Sequence, residues 1–218
     1  MSVRIIIAVF FFASIYGKIA HGQASFKVGY SLADNGKVNE YLNDTDNNIF
    51  RNNYNLGIGY QYIFEGTGMS IIPGIMYTFS EFNIGIAELR LNRFSLEVPF
   101  KIFPFNMEGD CNCPDFSMRN KFFEKHFFLL VNSGINFSIK NNSLVDDSVI
   151  KDLSYTAGIG AGITIPIAKN ILISPAFNYK RFFDDKWNKE YLFTIPEGEF
   201  KTSFSELEFE IRMLYKLN

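Results

Sequence analysis

The sequence predicts an all-β fold: eight antiparallel strands in up-and-down order, closed into a transmembrane β-barrel of the outer-membrane type. Three observations predict it. Aromatic residues make up 17% of the 218 residues, with 25 Phe and 11 Tyr, and both favour strands. Side chains alternate with a period of two, which sends successive residues to opposite faces of a strand. Short and long connections alternate between the segments, as they do in outer-membrane barrels.

Composition also excludes classes. At 47% hydrophobic residues the chain is not disordered. A formal net charge of -2 leaves no polycationic footprint, so nucleic acid is excluded as a partner. Two Cys and two His leave little material for metal clusters.

Met1 to Gly22 reads as a secretory signal peptide. Arg4 supplies the positive start, residues 5–13 the short apolar run, and Ala20-His21-Gly22 the small residues before a cut at Gln23. The apolar run is shorter than the ~20 residues of a spanning helix. The expected mature domain is therefore 23–218, with 19 basic against 23 acidic residues and His126 as its one histidine. Beyond residue 22 no apolar stretch reaches ~18 residues, which excludes a helical membrane protein.

The eight segments follow in order. The first is 24–33, with Lys27 and Gly29 on its polar face. The second, 52–64, sets Tyr54, Leu56, Ile58, Tyr60 and Tyr62 against Asn53, Asn55, Gly57, Gly59 and Gln61. The third, 68–80, carries Tyr77 and Phe79 on its apolar face. The fourth, 93–104, opposes Phe94 and Leu96 to Glu97 and Lys101. The fifth is 126–139, with Gly134 on the polar side. In the sixth, 154–166, Ile159, Ala161, Ile163 and Ile165 oppose Gly158, Gly160 and Gly162. The seventh, 170–182, sets Tyr179 against Lys180. The eighth, 203–217, sets Leu207, Phe209, Ile211, Met213 and Tyr215 against Glu206, Glu208, Glu210 and Arg212. Most reach the ~9–11 residues that a tilted strand needs to cross a bilayer. Glu65–Gly68 and Pro166–Asn170 are short turns; 34–51, 81–92, 140–153 and 183–202 are long and polar. Residues 105–125 break the pattern, a long connection where a short periplasmic turn belongs.

Alternation does not say which face is outside. Small residues crowd the polar face and suit the narrow interior of an eight-stranded barrel. The charges on that face, Lys27, Glu97, Lys101, Lys180, Glu206, Glu208, Glu210 and Arg212, could pair across a lumen. The aromatics near segment ends, Tyr54, Tyr62, Tyr77, Phe79, Phe94, Tyr155, Tyr179 and Tyr215, would form interfacial girdles. These features favour apolar-outward. The alternative is a secreted, soluble, lipocalin-like barrel that holds a small apolar ligand, with its apolar face inward.

Three stretches resemble the PorT-like outer-membrane β-barrel family common in Bacteroidetes. Gly57–Tyr62 with Ser70–Tyr77 looks like the family's second and third strands. Arg93–Lys101 is similar to its fourth strand. Ala157–Pro166 is similar to its glycine-rich strand. The resemblance spans nearly the whole mature chain. It implies the barrel architecture and an outer-membrane location, and supplies no catalytic residues.

Candidate chemistry is sparse. Cys111-Asn112-Cys113 is a candidate disulfide, to each other or to a partner, in an oxidising compartment. A lone CxC is a poor metal motif. Glu97, Lys101, Lys180, Glu206, Glu208, Glu210 and Arg212 are expected as a structural charge cluster that plugs the lumen. No GxSxG, P-loop or dinucleotide fingerprint is present, and Asn52-Asn53 and Asp184-Asp185 lack EF-hand spacing. The expectation is a non-enzymatic outer-membrane protein without metal or cofactor, structural or interaction-based. Its expected partners are outer-membrane lipid, the outer-membrane assembly machinery, and a periplasmic or cell-surface protein. The partner would dock on the outer loops or on 105–125, where Glu108, Asp110 and Asp115 adjoin a run from Arg119 to Lys125.

Overall fold

The computed structural model describes residues 19–34, 50–64, 67–84, 87–104, 126–142, 149–188 and 199–216. Eleven strand segments appear in chain order: β1 (Ile19–Asp34), β2 (Phe50–Phe64), β3 (Met69–Ile71), β4 (Gly74–Ile84), β5 (Ala87–Glu97), β6 (Phe100–Ile102), β7 (Phe127–Asn142), β8 (Val149–Ile163), β9 (Ile165–Ala168), β10 (Ile171–Asn188) and β11 (Glu199–Lys216). They form eight staves. Proline has no N–H to give a ladder, so Pro73 separates β3 from β4 and Pro99 separates β5 from β6. The staves continue across these breaks, because Ile72 N–H donates to Pro99 O at 2.9 Å and Tyr60 N–H to Pro73 O at 3.0 Å. Thr164 stands between β8 and β9, and its N–H donates to His126 O at 2.9 Å.

Every neighbouring pair is antiparallel, and β1 pairs with both β2 and β11. The ring β1-β2-β4-β5-β7-β8-β10-β11 is therefore closed, which removes the sheet edges that an open sheet would present. β1 begins at Ile19 and pairs Gly22 with Tyr62, so the strand includes the last residues of the expected leader.

The staves are longer than sequence predicts, mostly at the end of the long connections. Residues 81–92 are a correction: they are expected as a loop, yet β4 and β5 stay paired as far as Ile84 and Ala87. Backbone pairing there does not depend on which face is apolar: Leu91 is buried on the lumen side, whereas Phe94 and Leu96 face out. β10 and β11 reach 18 residues each, about 60 Å at ~3.3 Å per residue, more than a tilted strand needs to cross an apolar band ~25 Å tall.

Burial fixes the faces. Ile159 is 65% exposed, Phe177 62% and Ile58 61%, whereas Arg93 and Glu208 are 0% and Lys101 and Lys180 are 1% exposed. The apolar face is outside and the charged face inside. This overturns the lipocalin-like alternative, whose apolar side chains would line the interior.

β8 and β10 approach unusually closely. A Cβ on Gly160 would lie 2.1 Å from Asn178 Oδ1 and 2.5 Å from Phe177 O. The glycine run of β8 is what lets the staves meet there.

Candidate functional site: the charged lumen

The strand pleat sends alternate residues of each stave into the lumen, where they stack in layers. At the short-turn end lies Lys101 of β6. Its ammonium donates to Thr164 Oγ1 and Ser174 Oγ, both at 3.2 Å. It also sits 3.8 Å from the ring centroid of Phe128. Phe128 packs with Leu130 and Ala176 into a small apolar floor.

The next layers hold the main ion network. Arg212 Nη2 is 3.1 Å from Glu210 Oε1, and Glu210 Oε2 is 2.8 Å from Lys27 Nζ. Lys27 also lies 2.9 Å from Glu208 and 3.4 Å from Glu97. Lys180 meets Glu97 at 2.6 Å and Glu208 at 2.9 Å. Asn55 Nδ2 donates to Glu208 Oε1 at 2.9 Å. These groups come from β1, β2, β5, β10 and β11, so the network ties together staves that are not neighbours.

Above them Glu206 accepts from Ser31 Oγ and lies 3.5 Å from Arg93. The guanidinium of Arg93 lies 4.2 Å from the ring centroid of Phe182 and 5.1 Å from that of Phe204. The two rings are stacked, 4.4 Å apart and 4° from parallel. Beyond this lid, Lys140 Nζ is 2.9 Å from Asp185 Oδ2, and Lys186 N–H donates to Asp152 Oδ2 at 2.7 Å.

All seven charged residues expected in the lumen are buried there. Six connect, through Lys27 and Arg93, into ion pairs; Lys101 stands apart, on hydroxyls and an aromatic face. Sequence reasoning missed Arg93, Lys140, Asp152 and Asp185. It also missed the Phe182–Phe204 lid. Parity could have found most of them: Arg93 shares the parity of Glu97, Phe182 that of Lys180, and Phe204 that of Glu206. Asp185 has the wrong parity. A bulge between Phe182 and Asp185, with Asp184 in the left-handed region at φ 61°, inserts one residue and turns Asp185 inward.

Among the described residues the buried charges are six basic and six acidic, so the lumen is balanced. Uncompensated ions could not be held in it, since a buried charge without a partner costs several kcal/mol. A cavity of about 20 Å³ beside Lys27, Glu97 and Arg212 has room for roughly one water. Each glutamate of the Glu206–Glu208–Glu210 row is held by a cation. His126 lies before β7, where its carbonyl accepts from Thr164 N–H at 2.9 Å. Of the residues weighed for calcium, Asn53 is buried in the lumen and Asp185 pairs with Lys140. Among the described residues no three His, Cys, Asp or Glu could share a metal. Cys111, Cys113 and the rest of 105–125 lie outside the described residues.

A closed eight-stranded barrel with apolar side chains outside and a balanced charged core is a membrane-spanning β-barrel. No family model matches the chain, and no curated protein matches it. Solved structures similar to it include Neisserial surface protein A, at 8% identity over 90% of this chain and 97% of that one, TM-score 0.49. The β domain of the Bordetella autotransporter BrkA is similar at 8% identity over 90% and 100%, TM-score 0.48. Ail, the attachment invasion locus protein of Yersinia pestis, is similar at 12% identity over 90% and 99%, TM-score 0.45.

Proposed function

We propose that this chain is a non-enzymatic integral protein of the bacterial outer membrane, with a structural or interaction role and a lumen closed by its own side chains. The inverted burial carries the reading: residues such as Ile58, Ile159 and Phe177 are exposed in the middle of long strands, and a lipid surround removes that cost. The lumen offers no open passage, since ion pairs cross it and an aromatic lid closes it. Ser31, whose hydroxyl donates to the Glu206 carboxylate, is fully buried in that closed interior, out of reach of a substrate. Function then falls to the connections, which are freer than the walls and disproportionately carry it.

The PorT-like resemblance of the second, third, fourth and sixth segments supports the same location. A periplasmic or cell-surface protein is the partner class that suits such a barrel, docking on the outer connections or on 105–125. Fractionation tests the reading. The full chain is expected in the detergent-extracted outer membrane as a band whose mobility changes on boiling. Recovery in the soluble periplasm or the medium overturns it.

A further inference from the structure

The outer surface of β10 and β11 carries a group of polar residues that the lumen does not explain. Arg181 faces outward and is exposed. Its Nη2 donates to Ser203 Oγ at 3.4 Å, and its guanidinium lies 5.8 Å from the Phe183 ring centroid. Its register partner on β11 is Ser205, whose hydroxyl is 2.8 Å from Tyr179 Oη. One guanidinium and three hydroxyls thus share the outer face of two paired strands.

Their height on the wall is defined. Below them Phe177, Tyr179, Leu207 and Phe209 continue the exposed apolar belt. On other staves Tyr30 Oη donates to Asn52 and Tyr77 Oη to Asn92, at 2.8 and 2.6 Å. Asn52, Asn92 and Ser205 therefore mark where polar groups enter the belt on the long-connection side, with exposed Phe183 continuing it past Arg181 on β10. Lipid headgroups lie at such a border, and girdle aromatics sit there. Arg181 stands on it.

Its pairing is also distinctive. Arg90, also outward, is 3.1 Å from Glu81. Among the described residues no carboxylate pairs with Arg181. Asp34, the nearest acid by register on the β1 side, pairs with Ser205 one stave further on. A planar guanidinium takes phosphate oxygens through two parallel N–H bonds, and hydroxyls supply the remaining donors.

We propose that Arg181, Ser203, Ser205 and Tyr179 hold the phosphate of an anionic lipid headgroup in the leaflet facing the long connections. This rests on the membrane-spanning reading. The phosphate supplies the counter-charge that no described residue gives Arg181, and the acyl chains lie along Phe177 and Phe209.

The test uses the full chain folded in a neutral detergent, with the boiling-dependent mobility shift as entry control. A chain that stays water-soluble and shows no shift overturns the membrane reading and this site with it. On the folded protein, native mass spectrometry measures retention of short-chain phosphatidic acid and of diacylglycerol with the same chains. Phosphatidic acid is expected about tenfold better retained, the scale of a charge-assisted pair. Arg181→Gln should abolish that excess, Arg181→Lys should keep part of it, and Arg90→Gln should leave it unchanged. Equal retention of the two lipids, an unchanged excess in Arg181→Gln, or displacement by inorganic phosphate at equal concentration overturns the proposal while leaving the barrel intact.

Discussion

Lys180 on β10 and Glu97 on β5 belong to staves that do not touch, yet their Nζ and Oε1 atoms lie 2.6 Å apart in the lumen. Two further staves, β7 and β8, stand between them around the ring. The contact is a strut, and Lys27 doubles it by reaching both Glu97 and Glu208.

The strut is expected to behave as a matched pair. Lys180→Met leaves buried carboxylate behind and should cost about 3–5 kcal/mol. The double change Lys180→Met with Glu97→Leu should recover part of that loss. Urea unfolding in lipid vesicles, read by the gel shift, measures both; additive losses would mean that the two charges do not interact.

The outer wall should reject charge. Ile159→Arg, Leu96→Arg and Ile211→Arg should each cost about 2–4 kcal/mol near the bilayer midplane. The same unfolding assay checks them. Unchanged stability at all three positions would place this face in water.

Gly160→Ala should destabilise more than Gly29→Ala. The new methyl at Gly160 meets the backbone oxygen of Phe177 at 2.5 Å, whereas at Gly29 the nearest atoms, a Glu208 oxygen at 3.0 Å and the backbone oxygen of Phe209 at 3.2 Å, stand further off. Thermal unfolding of the two variants ranks them, and equal losses would deny the close β8–β10 approach.

Closure has two layers, so one lesion should not open the barrel. Phe204→Ala should cost about 3–5 kcal/mol, as for a buried ring, and still show no unitary conductance in planar bilayers. Replacing Phe204, Arg93, Lys27, Glu97, Lys180 and Glu208 together by serine should produce discrete channels. Channels in the wild type would contradict a closed lumen.

Much of this was legible in sequence because the barrel wall obeys one rule. Period two places Lys27, Glu97, Lys180 and Glu208 on one face whatever their partners, and small residues on that face imply a narrow interior. Pairing across the lumen was not legible, since register and shear decide which charges reach one height. Stave ends are not legible for a related reason: backbone pairing continues past Glu81 and Arg90, where the apolar residues change face, Leu91 lying inside and Leu96 outside. Asp185 escaped because a single residue in the left-handed region, Asp184, reverses the parity that the lower part of β10 obeys. For Arg181 alternation gives the face, but that no carboxylate pairs with it among the described residues follows from what stands beside it on β11.

The central claim is the inverted wall, and nitroxide accessibility tests it most directly. Single spin labels replace Ile58, Ile159 and Phe177 on one face and Asn55, Thr78 and Asn178 on the other, in the full chain reconstituted in lipid vesicles. The expected result is alternation: outward labels relaxed by lipid-soluble oxygen and shielded from a water-soluble nickel chelate, inward labels shielded from both. Outward labels that meet the nickel chelate while inward labels meet oxygen would contradict the account and return the apolar face to the interior.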